Sequence, residues 1–130
     1  MVLVDSSVWI DYFNGAATRQ TEILDQMLQQ IPLITGDLIL VEVLQGFRDD
    51  NDFKKAQEIM GILPCREMCG HDIAIQSAEN YRKLRKKGIT VRKTIDVIIG
   101  TFCIAEKIPL LHTDKDFDPM VEYLGLKTII

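Results

Sequence analysis

Several features that mark large protein classes are scarce in this chain of 130 residues. It has three cysteines, Cys65, Cys69 and Cys103, an odd number without the paired CxxC spacing of a zinc site. They read as core or surface thiols. No apolar run approaches the roughly 20 residues that a membrane-spanning helix needs, and the N-terminus lacks a basic region followed by a cleavable apolar one. The expected location is the cytoplasm, with no membrane partner. The two histidines, His71 and His112, stand apart from any serine or cysteine signature, which leaves no nucleophile triad in view; His112 reads as a structural residue at a strand end. Basic residues are also outnumbered, 15 Lys and Arg against 19 Asp and Glu for a formal net charge of −4. That balance disfavours a protein that holds DNA by a general basic surface.

What is present fits one globular domain over residues 1–130. Hydrophobic residues are 47% and charged residues 26% of the chain, enough apolar material for a single core and too patterned for disorder. Repeats, linkers and low-complexity tracts are lacking. The basic residues that exist are clustered: "YRKLRKKG" and "VRK" hold Arg82, Lys83, Arg85, Lys86, Lys87, Arg92 and Lys93, seven of the fifteen. A solvated helix face is the default for such a run.

Short apolar runs alternate with helical patterns. "VLV" at 2–4 predicts a strand, and Ser6 or Ser7 is placed to cap a helix over about 8–14. Apolar residues at Ile23, Leu24, Met27, Leu28 and Ile31 have helical spacing, and Pro32 precedes a short strand near Leu33 and Ile34. Two helices are expected over about 37–47 and 52–61, then a strand after Pro64. Ile73, Ile75, Ala78, Tyr81 and Leu84 suggest a long amphipathic helix over 71–87 whose basic end suits the helix dipole. Thr94 looks like the cap of a helix reaching Lys107. "IPLLHT" follows as a strand, broken by "DKDFD", and "LKTII" as a closing strand. This order argues for a mostly parallel sheet of about four to five strands covered on both faces, a three-layer α/β/α sandwich.

Carboxylates stand at the ends of these elements. Asp5 follows the first strand, and Asp114 and Asp116 follow the strand at 110–112; in open parallel sheets such positions share one edge. Asp96 lies in the first turn of a helix with Ile99, Gly100 and Cys103 on its side. Glu42 is surrounded by aliphatic residues in "DLILVEVLQGF". Singly, each acid has an ordinary reading as a cap, a turn residue or a helix N-terminal charge. Together they form a group that would repel itself and take up protons unless a hard cation such as Mg²⁺ or Mn²⁺ neutralised it. That is equipment for phosphoryl-transfer chemistry.

"LVDSSVWIDYF", "LILVEVLQGF" and "TIDVIIGTFCIAEKIPLLHTDKDFDPM", in this order and at these spacings, resemble the PIN-domain ribonucleases, most closely the VapC-type toxins of toxin–antitoxin pairs. The resemblance spans the whole chain. It implies that Asp5, Glu42, Asp96 and Asp114 are the catalytic acids, with Asp5, Asp96, Asp114 and Asp116 carrying Mg²⁺ or Mn²⁺ and Ser7 supporting Asp5. The implied reaction is endonucleolytic hydrolysis of RNA by metal-activated water, oriented or deprotonated by Glu42, giving a 5′-phosphate and a 3′-hydroxyl. A homodimer and a VapB-type antitoxin, forming a toxin–antitoxin hetero-oligomer, are implied as well. Gly100 departs from the Ala common in relatives, and the apolar "LILV" replaces a Ser/Thr-containing start; neither removes a carboxylate. Trp9, Tyr12, Phe13 and Met27 suit a partner groove or the core, and for Trp9 the core is favoured.

An acidic cavity needs cations at its rim to hold a phosphate backbone, and Arg82, Arg85, Lys86, Arg92 and Lys93 are the candidates for RNA contact. Rival readings fit less well. A haloacid-dehalogenase-like phosphatase requires a second Asp two residues after the first, where this chain has Ser7. A receiver domain requires an Asp after its third strand, where "LPCREM" offers only Glu67. A PIN-like module that binds nucleic acid or protein without cleaving is the remaining alternative.

Overall fold

A computed structural model describes residues 1–129. Four strands, β1 (Val2–Val4), β2 (Leu33–Gly36), β3 (Cys65–Arg66) and β4 (Leu110–Leu111), form an all-parallel sheet in the order β3-β2-β1-β4. β1, β2 and β4 are wholly buried. That is the condition under which parallel strands read as unbroken apolar runs.

Helices supply the outer layers of the three-layer sandwich. Between β1 and β2 run α1 (Ser6–Phe13) and α2 (Arg19–Met27), and between β2 and β3 run α3 (Asp37–Leu44) and α4 (Asp50–Gly61). The long connection from β3 to β4 holds α5 (His71–Lys86) and α6 (Thr94–Glu106), and α7 (Asp118–Leu124) follows a single 3₁₀ turn at Lys115–Phe117. α1 packs on α2 and α3, while α5 packs on α6 and α7. One core cluster joins the layers, with Leu3, Trp9, Leu24, Ile39, Met68, Phe102, Leu110 and Phe117 among its buried members. Trp9 is fully buried, as expected, and Met27 nearly so.

Some local expectations are corrected. Neither Ser6 nor Ser7 caps α1: Asp5 does, accepting from the Ser7 N–H at 3.0 Å, so the helix starts directly after it. Thr94 is the first residue of α6 rather than its cap. On α5 the buried residues are Ser77 and Leu84, and Ile75 is half exposed with Ala78 also exposed. At 100° per residue, Ile75 lies about 200° round the helix from Ile73, too far to share its face. The closing strand shrinks to an isolated parallel bridge, Thr128 to Leu110, with hydrogen bonds from Leu110 N to Lys127 O and from Ile129 N to Leu110 O; Ile130 lies outside the described residues.

The strand order decides where a site can form. The chain moves outward from β1 through β2 to β3, then crosses back so that β4 pairs with the other side of β1. β1 and β4 therefore flank the point where the winding reverses, and in such sheets the crevice opens beyond the strand ends there.

Candidate active site

Asp5 leaves β1 at that reversal. Its N–H donates to Leu111 O of β4 at 2.9 Å, and its carboxylate Oδ2 accepts both the Ser7 N–H and the Ser7 hydroxyl, at 3.0 and 2.6 Å. The Ser7 Oγ in turn accepts from Thr113 N at 3.2 Å. A single hydroxyl thus ties the end of β1 to the segment after β4, which leads straight into Asp114. Asp114 caps the 3₁₀ turn by accepting Asp116 N at 2.9 Å. Short polar side chains favour such turns because they satisfy backbone donors that have no helical partner.

Asp96 arrives from α6. It faces the core and is only 3% exposed, among the buried Val97, Ile99 and Gly100. Asp96, Asp114 and Asp116 can each bring a carboxylate oxygen within 4.8 Å of the others. Glu42, half-buried on α3, has Oε1 accepting from the Ser6 hydroxyl at 2.9 Å.

This convergence alters protonation. Burial, and then the neighbouring charges of Asp5 and Asp114, push the Asp96 carboxyl up to about 7, although Lys93 opposes the shift. Burial likewise raises Asp5 against the lowering pull of Ser7, and raises Glu42 against its Ser6 hydrogen bond. Two buried oxygens, Asp5 Oδ1 and Asp96 Oδ2, have no hydrogen-bond partner among the described residues. Orphaned anionic oxygens carry a large desolvation cost. An all-oxygen donor set of this kind fits a hard divalent cation such as Mg²⁺ or Mn²⁺, which would supply the missing partner.

Cations do reach the rim. Lys93 Nζ lies 4.0 Å from Asp114 Oδ2 and Arg92 Nη2 lies 3.4 Å from Asp116 Oδ2. Arg82 and Arg85 line an apolar groove of about 450 Å³ between α5 and α6, together with Thr94. Lys86 lies elsewhere, with Lys83 and Lys87 in a depression beside Tyr123.

A family model for the PIN domain matches residues 2–122. The chain belongs to the PIN-domain family. This PIN domain is 30% identical, over 98% of its length and 96% of the relative's, to a protein named ribonuclease VapC11 from Mycobacterium tuberculosis. Among solved structures, the VapBC2 complex of Rickettsia felis, bound to a DNA fragment from its promoter, aligns with a TM-score of 0.79 and 15% identity over 99% of this chain and 98% of the other. Mycobacterium tuberculosis VapC20, described as a sarcin–ricin loop cleaving toxin, aligns with a TM-score of 0.68 and 16% identity over 91% and 93%. These two likenesses concern the fold, and the architecture agrees with them.

Sequence reasoning misses two members of the PIN-domain site. Ser6 reads there only as a possible cap, yet it grips Glu42. His112 sits beside Asp5, packs its ring tilted at 53° against Phe117 with 5.0 Å between ring centroids, and has a buried Nδ1 without a partner among the described residues. The signal for Ser6 lies in its place beside Asp5. Nothing in the spacing of 36 residues links it to Glu42.

Proposed function

We propose that this PIN domain is a metal-dependent endoribonuclease of the VapC type, hydrolysing RNA phosphodiester bonds. The convergence of Asp96, Asp114 and Asp116, beside an Asp5 whose Oδ1 is buried and unpaired, carries the reading. Asp5, Asp96, Asp114 and Asp116 would hold Mg²⁺ or Mn²⁺. Such an ion, when bound, makes water a better nucleophile and offsets charge on the phosphate and the leaving oxygen. Glu42, with Oε1 occupied by Ser6, keeps Oε2 to accept a proton from the attacking water. The water oxygen bonds to phosphorus as the bond to the 3′-oxygen breaks, and the leaving oxygen takes a proton from solvent, leaving a 5′-phosphate and a 3′-hydroxyl. Asp5 is kept in place by Ser7.

Arg92 and Lys93 are the proposed contacts to phosphates flanking the scissile bond, with Arg82 and Arg85 of α5 as further candidates, while Lys86 sits apart from them. The fully buried neighbours of Asp96 keep bulk water off the inner wall of the site.

The regulatory partner is proposed to be a VapB-type antitoxin. A groove of about 520 Å³ between the ends of α1 and α3 and the side of α4, lined by Phe13, Phe47 and Ile59 but also by Arg48, Asp49 and Lys55, offers mixed apolar and charged purchase for it, and Ile59 is 40% exposed. We further propose a homodimer within the toxin–antitoxin assembly and a cytoplasmic location; no helix among the described residues is long and apolar enough to cross a membrane.

The deciding experiment is cleavage of total cellular RNA by purified protein free of antitoxin, with Mg²⁺ or Mn²⁺, beside EDTA and an Asp96→Asn variant. Discrete fragments that depend on the metal and vanish in the variant are expected. Failure of folded, antitoxin-free protein to cut any RNA would instead favour a binding module that has the acidic pocket without the activity.

A further inference from the structure

We infer that Ser6 is a positioning residue whose hydroxyl holds the Glu42 carboxylate in its working orientation. The inference rests on the nuclease reading above and adds to it a residue that acts on the water-directing acid instead of on the metal-carrying ones.

A serine at the start of a helix usually spends its hydroxyl on the backbone of that helix, because the first N–H groups have no intrahelical partner. In α1 that task belongs to Asp5. Ser6 is 7% exposed, its side chain turned away from solvent, and its hydroxyl donates across 36 residues of sequence to Glu42 Oε1 at 2.9 Å. It is the sole side-chain hydrogen bond that Glu42 makes among the described residues.

Glu42 needs such a restraint. Its side chain has three rotatable bonds and sits half-buried, close enough to Asp5 and Asp114 for both to repel its charge. An untethered carboxylate there is drawn outward, toward water and away from the other acids. The Ser6 hydrogen bond opposes that motion and favours the ionised form able to take a proton. It also engages one oxygen only, so the other stays available.

The two neighbouring serines therefore divide the work. Ser7 touches Asp5 and Thr113, on the metal-carrying side of the site. Ser6 touches Glu42. Removing each hydroxyl should produce a different defect, which a general loosening of the helix start would not.

The test compares wild type, Ser6→Ala, Ser6→Thr and Ser7→Ala for Mn²⁺ affinity by calorimetry, for melting temperature, and for the initial rate of cleavage of total cellular RNA at saturating Mn²⁺. Ser6→Ala should lose roughly tenfold in rate, the amount one charge-assisted hydrogen bond supplies, with Mn²⁺ affinity within about twofold of wild type. Ser6→Thr, which keeps a hydroxyl, should recover most of the rate. Ser7→Ala should weaken Mn²⁺ binding by about tenfold or more, as expected when a ligand loses its supporting hydrogen bond. Wild-type rate in Ser6→Ala, or a Mn²⁺ defect equal to that of Ser7→Ala, overturns the assignment while leaving the nuclease reading intact. Wild type that binds Mn²⁺ yet cuts no RNA overturns the nuclease reading, and the role of Ser6 falls with it.

Discussion

Lys93 holds its ammonium 4.0 Å from Asp114 Oδ2, and the residue before it, Arg92, reaches Asp116 at 3.4 Å. Both cations are largely exposed, so each pair adds little to stability. Their value lies in the field at the mouth of an otherwise anionic pocket. They partly neutralise the acids and remain exposed to solvent, where the phosphates of the proposed RNA substrate would meet them.

Replacing Arg92 and Lys93 with Ala should weaken RNA binding and lower the salt dependence, by about one unit of log–log slope for each phosphate that is no longer neutralised. Loss of nearby positive charge should leave Mn²⁺ binding intact or slightly tighter. Fluorescence anisotropy on labelled RNA in EDTA at several salt concentrations, with separate Mn²⁺ calorimetry, checks both. Unchanged slopes would show that the RNA passes elsewhere.

Asp96→Asn should abolish cleavage, by at least a hundredfold, and yet stabilise the metal-free protein at pH 8. Removing a buried, repelled charge should gain about 2 kcal/mol there, below the roughly 4 kcal/mol that a rise of about three pKa units implies. At pH 5 the native carboxyl is neutral but the unfolded one is mostly ionised, so the gain should shrink to roughly a third, and it should disappear only below about pH 4. Urea unfolding at the two pH values measures the difference.

The same shift fixes the pH response of the wild type. Native Asp96 binds its proton more tightly than the unfolded chain, about 7 against an ordinary 3.8, so metal-free stability should fall as pH rises from about 4 to 7. Asp5 and Glu42 push in the same direction. Mn²⁺ competes with those protons, so its affinity should climb over this range and level off above about 7. Melting curves with EDTA and with Mn²⁺ should diverge as pH increases; curves that stay parallel would show that the ion does not bind these carboxylates.

Gly100→Ala tests the packing behind Asp96. A Cβ at Gly100 would collide with Met120 Cε and lie 2.6 Å from its Sδ, so the gain of about 0.5–1 kcal/mol from replacing a helical glycine is opposed by overpacking. A net loss of about 1 kcal/mol is expected. In Met120→Ala the same substitution should be neutral or favourable, because the clashing thioether is gone. A double-mutant cycle on stability would read the coupling directly.

Much of this is legible in the sequence. The sheet is, because β1, β2 and β4 are short apolar runs between helical patterns, and so is the acidic set, because carboxylates at strand ends and on an apolar helix face are costly without a purpose. The rotation of α5 is not: Ile75 and Ala78 look like core residues by composition, but the buried line runs through Ser77 and Leu84. Ser7's support of Asp5 is legible through the family resemblance and is seen, but the contact of Ser6 with Glu42 is not; it depends on how α1 and α3 meet, a tertiary relation that spacing along one helix does not encode. The last strand also reads longer than it is, since "LKTII" has strand composition but forms a single bridge at the sheet edge.

The placement of β4 beside β1 has a consequence for biosynthesis. Asp5, Glu42 and Asp96 are made first, but the pairing of Leu110 and Leu111 with β1, the Thr113 contact that completes the Ser7 bridge and Asp114 itself all come from the final quarter of the chain. A nascent polypeptide that still lacks this segment holds an open sheet edge and an unfinished ring of charge. If the proposed nuclease reading holds, activity should require β4 to dock on β1, and fragments ending before Leu110 should be inert.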